Sequence, residues 1–241
     1  MKAMVLAAGR GTRMGALSEH MPKPLVPVLG KPLLDRILAH LYATGIGPTV
    51  INVHHLADQL EAHLQSHLAK GDVVISDERD ALLETGGGVK KALSLLGDDA
   101  FLVINSDALW VDGNAPTLRR LQEAFDPAIM DVLLLTVKTD EAAGYDGVGD
   151  FISDTMKPGP VPVQFRGDAA AAPVMYGGIQ IVNPSLYDGT PDGAWSNREI
   201  FRKAAAKNRL YGLLHDGLWM HVGSPEGVTL AEARLKAAGA V

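Results

Sequence analysis

The sequence predicts an α/β protein: a mostly parallel sheet with helices on both faces and a small irregular β insertion. Three observations predict it. Up to Thr139, short apolar runs alternate with amphipathic segments, the mark of βαβ units. The amphipathic segments carry leucines at helical spacing, while the runs between them are short and rich in β-branched residues. The rhythm then breaks, because Gly144–Pro173 is dense in Gly, Pro and Ala and has no helical period.

Ala3–Ala8 is expected as a buried first strand. Pro32–Ala43 places Leu33, Ile37 and Leu41 on one helical face, with Gly45 closing it. Thr49–Val53 reads as a strand. Leu56–Leu68 reads as a helix with Leu56, Leu60, Leu64 and Leu68 in register. Val73–Ile75 follows as a strand, Val89–Leu96 as a helix, Phe101–Ile104 as a strand, Pro116–Phe125 as a helix and Asp131–Val137 as a strand. Past the insertion, at about residues 140–175, Met175–Val182 resumes as a strand, and Ser196–Asn208 and Pro225–Ala238 read as helices. No repeat or linker divides the chain, so 1–241 is expected to form one domain.

Composition narrows the function. There is no cysteine, which excludes disulfides, thiolate metal sites and a cysteine nucleophile. A formal charge of −6 argues against general nucleic-acid binding, which draws most of its affinity from neutralised phosphates. The apolar run Met4–Ala8 is too short for a signal sequence, and no stretch approaches a bilayer span. A soluble cytoplasmic protein without a membrane partner is expected.

The first strand runs into AAGRGTRM. Gly9 and Gly11 permit a sharp turn and close approach to a ligand, and consecutive amides in such a turn form an anion site. Its place at the carboxyl end of a strand is where open α/β sheets bind ligands. The loop is neither a P-loop nor a dinucleotide fingerprint, since GxxxxGK[ST] is absent and Met14 stands where GxGxxG has its third glycine. In MPKPLVPV, Pro22 and Pro24 hold Lys23 in a stiffened segment. With Arg13, whose planar fork suits phosphate oxygens, it gives two cations for a triphosphate. Asp107, behind Phe101–Ile104, is a hard oxygen ligand at another strand end, suited to Mg²⁺.

LAAGRGTRM followed by PKPLVPVLGKP resembles the signature of the sugar-1-phosphate nucleotidyltransferases. The likeness continues through LLETGGGVKKAL, VINSDAL, YGGIQI and WMHVGSPE, and so covers nearly the whole chain. The resemblance implies a Rossmann-like core of the nucleotide-diphospho-sugar transferase type. It implies an enzyme that joins a nucleoside monophosphate from an NTP to a sugar 1-phosphate and releases pyrophosphate. Short length and the ETGGG form look most like the uridylyltransferase branch acting on N-acetylmuramate 1-phosphate. Guanylyl- or thymidylyltransferases for mannose or glucose 1-phosphate are the alternative. By the same resemblance Ala8, Gly9, Gly11, Thr12, Arg13 and Lys23 hold the nucleotide phosphates, with Arg13 and Lys23 catalytic. Glu84, Gly86 and Gly87 lie beside base and sugar, the two glycines leaving room for the ring. Asn105, Gly147 and Tyr176 face the sugar phosphate, and Asp107 carries Mg²⁺, with Mn²⁺ as an alternative.

The pattern departs at one place. Relatives read W-x-D-V-G-T-P near the C-terminus, with the Asp a second metal ligand; here His221 stands in the sequence WMHVGSP. Imidazole suits softer divalent ions better than Mg²⁺. Three readings stay open: Asp107 and phosphates hold Mg²⁺ alone, which is favoured; His221 also ligates, favouring Mn²⁺; or catalysis is weak. A non-catalytic nucleotide or sugar-phosphate sensor and a glycosyltransferase of related fold are the rival functions. The latter usually shows Asp-x-Asp, where this chain has Asp107-Ala108-Leu109.

Other features read as structural. His54 and His55 form a strand-end pair, and His63 and His67 share a helix face without the zincin glutamate. Asp77, Glu78 and Asp80 read as a solvated cluster, and Lys157 as part of a loop. A monomer or homodimer is expected. The enzymatic reading requires Arg13, Lys23 and Asp107 to share one cleft.

Overall fold

A computed structural model describes residues 1–153 and 159–240; Lys157 lies outside the described residues. The chain begins with β1 (Ala3–Leu6), the short helix α1 (Ala16–His20), the hairpin β2 (Pro27–Val28) and β3 (Lys31–Pro32), and α2 (Leu33–Ala43). Then come β4 (Thr49–Val53), α3 (Ala57–Lys70), β5 (Val73–Asp77), α4 (Glu84–Leu96), β6 (Phe101–Asn105), β7 (Ala108–Val111), α5 (Thr117–Ala124) and β8 (Val132–Lys138). The expected insertion contains β9 (Phe151–Ile152), β10 (Pro160–Pro162) and β11 (Gln164–Phe165). The chain closes with β12 (Val174–Val182), α6 (Arg198–Ala206), β13 (Leu210–Leu214), β14 (Leu218–His221) and α7 (Pro225–Ala237).

The main sheet has the order β10-β13-β8-β12-β6-β1-β4-β5. The pairs β1–β4, β1–β6, β4–β5 and β8–β13 are parallel. β12 runs antiparallel to both of its long neighbours, β6 and β8.

Period-2 alternation sends successive residues to opposite faces of the sheet, and here both faces are covered. Val5, Leu102, Ile104, Leu133 and Leu135 join Ile37, Leu41, Leu60, Leu64 and Leu118 from α2, α3 and α5 in one core. Met4, Phe101, Val103, Val132 and Leu134 meet Val89, Ala92, Ile200 and Phe201 from α4 and α6 in the other. Burial on both sides explains why these strands read as continuous apolar runs.

Several expected boundaries move by a few residues, and two of these shifts bear on the site. The first strand ends at Leu6, not Ala8, because Ala7 turns out to give its amide to the Asn52 side chain. The helix expected from Val89 begins at Glu84, so the glycine triad lies inside it. Glu78, read as solvated, is fully buried. Its neighbour Asp77 is the surface partner, joining Asp58 and Glu61 around Arg79.

The topology fixes where a ligand fits. From β1 the chain moves outward through β4 and β5, then returns to β6 on the other side of β1. The crevice between the carboxyl ends of β1 and β6 is a topological switch point, where open sheets bind ligands. In register there, Leu6 pairs with Asn105.

Candidate active site

The glycine loop after β1 and the Asn105–Asp107 turn after β6 meet at this crevice, which is a cleft of about 440 Å³. Ala8, Gly9, Gly11, Thr12, Arg13, Lys23, Glu84, Asn105 and Asp107 all border it. Local geometry explains how. Gly11 takes φ +63°, and a Cβ there would stand 3.1 Å from the Lys23 Cβ and 3.2 Å from the Ser18 Cβ; only a glycine backbone approaches Lys23 this closely. Lys23 itself opens a single 3₁₀ turn, with the Leu25 amide donating to the Pro22 carbonyl at 2.8 Å. Among the described residues, no acceptor faces the amides of Gly9, Arg10 and Gly11, as an anion cradle requires.

Opposite the loop, the Lys23 Nζ lies 2.6 Å from the Asp107 Oδ2, with side-chain exposures of 12 % and 22 %. His221 reaches the same oxygen from Nε2 at 3.3 Å. It arrives there because β14 pairs with β7, opposing His221 to Ala108, while the Val222 amide donates to the Asp107 carbonyl at 2.9 Å. Burial pushes the Asp107 carboxyl up, but the hydrogen bond from His221 and the charge of Lys23 outweigh it and hold the group well below the usual carboxylate range. Arg13 is exposed, makes no ion pair among the described residues, and borders both this cleft and a smaller one that reaches His221, Ser224 and Asp146.

The donor set fits a divalent ion. Mg²⁺ commonly uses one or two carboxylates, with substrate phosphates and waters completing its shell; Asp107 supplies one such oxygen ligand. The His221 imidazole is the other candidate ligand beside it, and it suits Mn²⁺ better. No cluster of three His, Cys, Asp or Glu stands among the described residues, so an ion at Asp107 would need ligands from beyond the protein.

Three resemblance-based placements differ in the structure. Gly86 and Gly87 do not leave room for a ligand ring. A Cβ at Gly86 would collide with the Trp195 ring, and one at Gly87 with the Gly193 carbonyl. The segment 191–197 straps across the start of α4: the Trp195 carbonyl accepts the Gly86 amide at 2.8 Å, and the Asn197 amide donates to the Thr85 Oγ1 at 2.8 Å. Tyr176 lies off the cleft lining, its hydroxyl donating to the Gln180 Oε1 at 2.6 Å and its ring edge-on to Phe201. Gly147 is also off the lining, its open side taken up by Tyr145. Glu84 stays at the cleft edge with φ +57°, an uncommon conformation for a residue with a Cβ.

Two cleft residues carried no sequence motif, Asn52 and Ser196, while Leu82, Thr85 and Ser106 lay inside the motifs without being singled out. Asn52 did leave a signal, as a polar residue in the centre of a β-branched strand. The histidine pairs are structural. His63 meets Asp35 at 2.6 Å and His67 meets the Tyr42 hydroxyl at 2.9 Å, joining α3 to α2, while His55 bonds the Ser18 carbonyl at 2.9 Å.

Comparison with known proteins agrees with this geometry. A family model described as the MobA-like NTP transferase domain matches residues 3–177. The chain is 43 % identical over 238 residues to an N-acetylmuramate alpha-1-phosphate uridylyltransferase from Caulobacter vibrioides, covering 97 % of this chain and 96 % of the other. It is 34 % identical over 226 residues to the protein of the same name from Neisseria meningitidis, covering 93 % and 94 %. A solved UDP-glucose pyrophosphorylase in complex with UDP-glucose shares the fold, at TM-score 0.78, 18 % identity and 98 % of each chain. With the family model spanning most of its length and two such relatives nearly all of it, the chain belongs to the MobA-like NTP transferase family, on its sugar-1-phosphate nucleotidyltransferase branch.

Proposed function

We propose that the protein transfers UMP from UTP to N-acetylmuramate 1-phosphate and releases pyrophosphate, as a cytoplasmic step of cell-wall recycling. The observation that carries the chemistry is the meeting of Lys23 and Asp107 at 2.6 Å in the cleft bordered by the glycine loop and Arg13. The choice of base and sugar is supported by the names of the two relatives.

In this mechanism an oxygen of the sugar phosphate attacks the α-phosphorus of UTP in line with the departing pyrophosphate. One P–O bond forms as the α–β bridge breaks, and the electron pair leaves with pyrophosphate. The attacking group is already an anion, so no side chain needs to act as nucleophile; positioning and charge neutralisation supply the catalysis. The amides of Gly9, Arg10 and Gly11 receive phosphate oxygens. The Lys23 ammonium has three donors; Asp107 takes one, which leaves two for the phosphates. Arg13 adds its fork from the exposed side. Asn105 and Ser196 border the same cleft and orient the sugar phosphate. A divalent ion held by Asp107 and phosphate oxygens, Mg²⁺ or Mn²⁺, supplies further neutralisation of the α-phosphate when bound.

A pyrophosphate-release matrix tests this: UTP, GTP, dTTP and CTP against N-acetylmuramate, N-acetylglucosamine, glucose and mannose 1-phosphates. The expected maximum is UTP with N-acetylmuramate 1-phosphate. A maximum elsewhere changes the substrate, and nucleotide binding with no turnover across the panel makes the protein a sensor.

A further inference from the structure

Behind Asn52, which borders the cleft, lies a carboxyl that the transfer reaction does not use. Glu78, directly after β5, is 0 % exposed, and among the described residues it makes no ion pair. Its partners are neutral: Oε1 accepts from the Asn52 Nδ2 at 2.7 Å and Oε2 from the Leu83 amide at 3.3 Å. Burial pushes the carboxyl up, opposed in part by these two hydrogen bonds and, more weakly, by the charges of Lys91 and His54. The fold keeps space for it, since a Cβ at Gly88 would come within 2.7 Å of Oε1. A buried, unpaired carboxyl is costly to keep, so its geometry bears on what it does.

Asn52 is 2 % exposed and borders the cleft. A primary amide accepts at one end and donates at the other. With Glu78 accepting, the Asn52 NH₂ turns toward it, and its Oδ1 is left facing Ala7, whose amide donates at 2.7 Å. Ala7 opens the phosphate loop. On the far side, the Leu83 amide precedes Glu84 and Thr85, which border the cleft opposite that loop. Glu78 is thus tied directly to Leu83 and, through Asn52, to Ala7.

From this juxtaposition we infer that Glu78 is a positioning residue for the nucleotide, acting through Asn52 and Leu83 to set the spacing between the phosphate loop and the wall at residues 82–85. The inference rests on the nucleotide reading of the cleft given above.

Titration calorimetry of UTP with Mg²⁺ into the full-length protein tests it, for wild type, Glu78→Gln and Gly88→Ala. Thermal midpoints and the KM for the sugar 1-phosphate are measured alongside. Glutamine keeps the volume but sets an NH₂ against one of the two donors, and the alanine crowds the carboxyl from the other side. Both variants are expected to weaken UTP about tenfold, while KM for the sugar phosphate stays within about twofold. If Gly88→Ala fails to fold, the isosteric Glu78→Gln carries the test alone. UTP affinity within about twofold of wild type, with only the thermal midpoint lowered, overturns the inference and leaves Glu78 a packing residue. A wild type that binds no NTP overturns the nucleotide reading as well, and is distinguishable because the failure precedes any substitution.

Discussion

The cleft has two glycine-rich walls, and they use glycine for opposite ends. At Gly9, on the wall made by the loop after β1, a Cβ would meet nothing within 4 Å, and the amides of Gly9, Arg10 and Gly11 have no hydrogen-bond partner among the described residues. At Gly86–Gly88, on the strap wall, the room is already taken: Trp195 fills the first, the Gly193 carbonyl the second and the Glu78 carboxyl the third. Gly9 leaves room beside the cleft, whereas Gly86–Gly88, like Gly11 beside Lys23, make room for the protein itself. A glycine run in a sequence therefore announces a close approach without saying what approaches, and the backbone hydrogen bonds of each wall tell the two cases apart.

This contrast can be broken by substitution. The largest effect is expected on the phosphate wall, where Lys23→Ala and Arg13→Ala should each lower kcat on the order of 10²–10³-fold with the thermal midpoint nearly unchanged. Steady-state pyrophosphate release with a parallel melt checks this, and small effects from both would remove these cations from the chemistry. Next comes Gly87→Ala on the strap wall. Its methyl displaces the Gly193 backbone, so stability should fall by about 1–3 kcal/mol, read as a lowered midpoint of denaturant unfolding. Gly9→Ala should do the reverse, leaving stability within about 0.5 kcal/mol of wild type while raising KM for the NTP; if it destabilised as much as Gly87→Ala, the two walls would not differ as described. The smallest change is expected from His221→Asp, which gives Asp107 a second carboxylate neighbour. Mg²⁺-dependent turnover should be retained or raised, and its abolition would assign His221 a role that a carboxylate cannot fill.

How much was legible follows from which forces act locally. The core strands and helices up to β8, with β12, α6 and α7, came through because their apolar periodicity records the packing directly, whereas β7, β13 and β14 were not expected. The phosphate wall was legible because its residues lie within one short stretch, Ala8–Lys23, with proline and glycine marking the backbone demands. The strap wall was not. Nothing near Gly86 in sequence names Trp195, and a helix whose first turns hold three glycines defeats propensity, since the Thr85 and Gly86 contacts with the strap stabilise it from outside. Glu78 failed for the same reason: an acidic run reads as solvated until Asn52, a strand away, is seen to take its proton-accepting oxygen as partner.

The reversed direction of β12 has a wider consequence. In the parallel strands the ligand edge is where each one finishes, so only the loops that follow can change there. β12 starts at that edge, and β8 finishes at it, so the chain leaves the sheet at Lys138 and re-enters it at Val174 on the same side, with Lys138 and Val174 facing each other in register. A change in the length of that connection leaves the register of β12 with β6 and β8 untouched, so this edge can vary while the sheet beneath it does not.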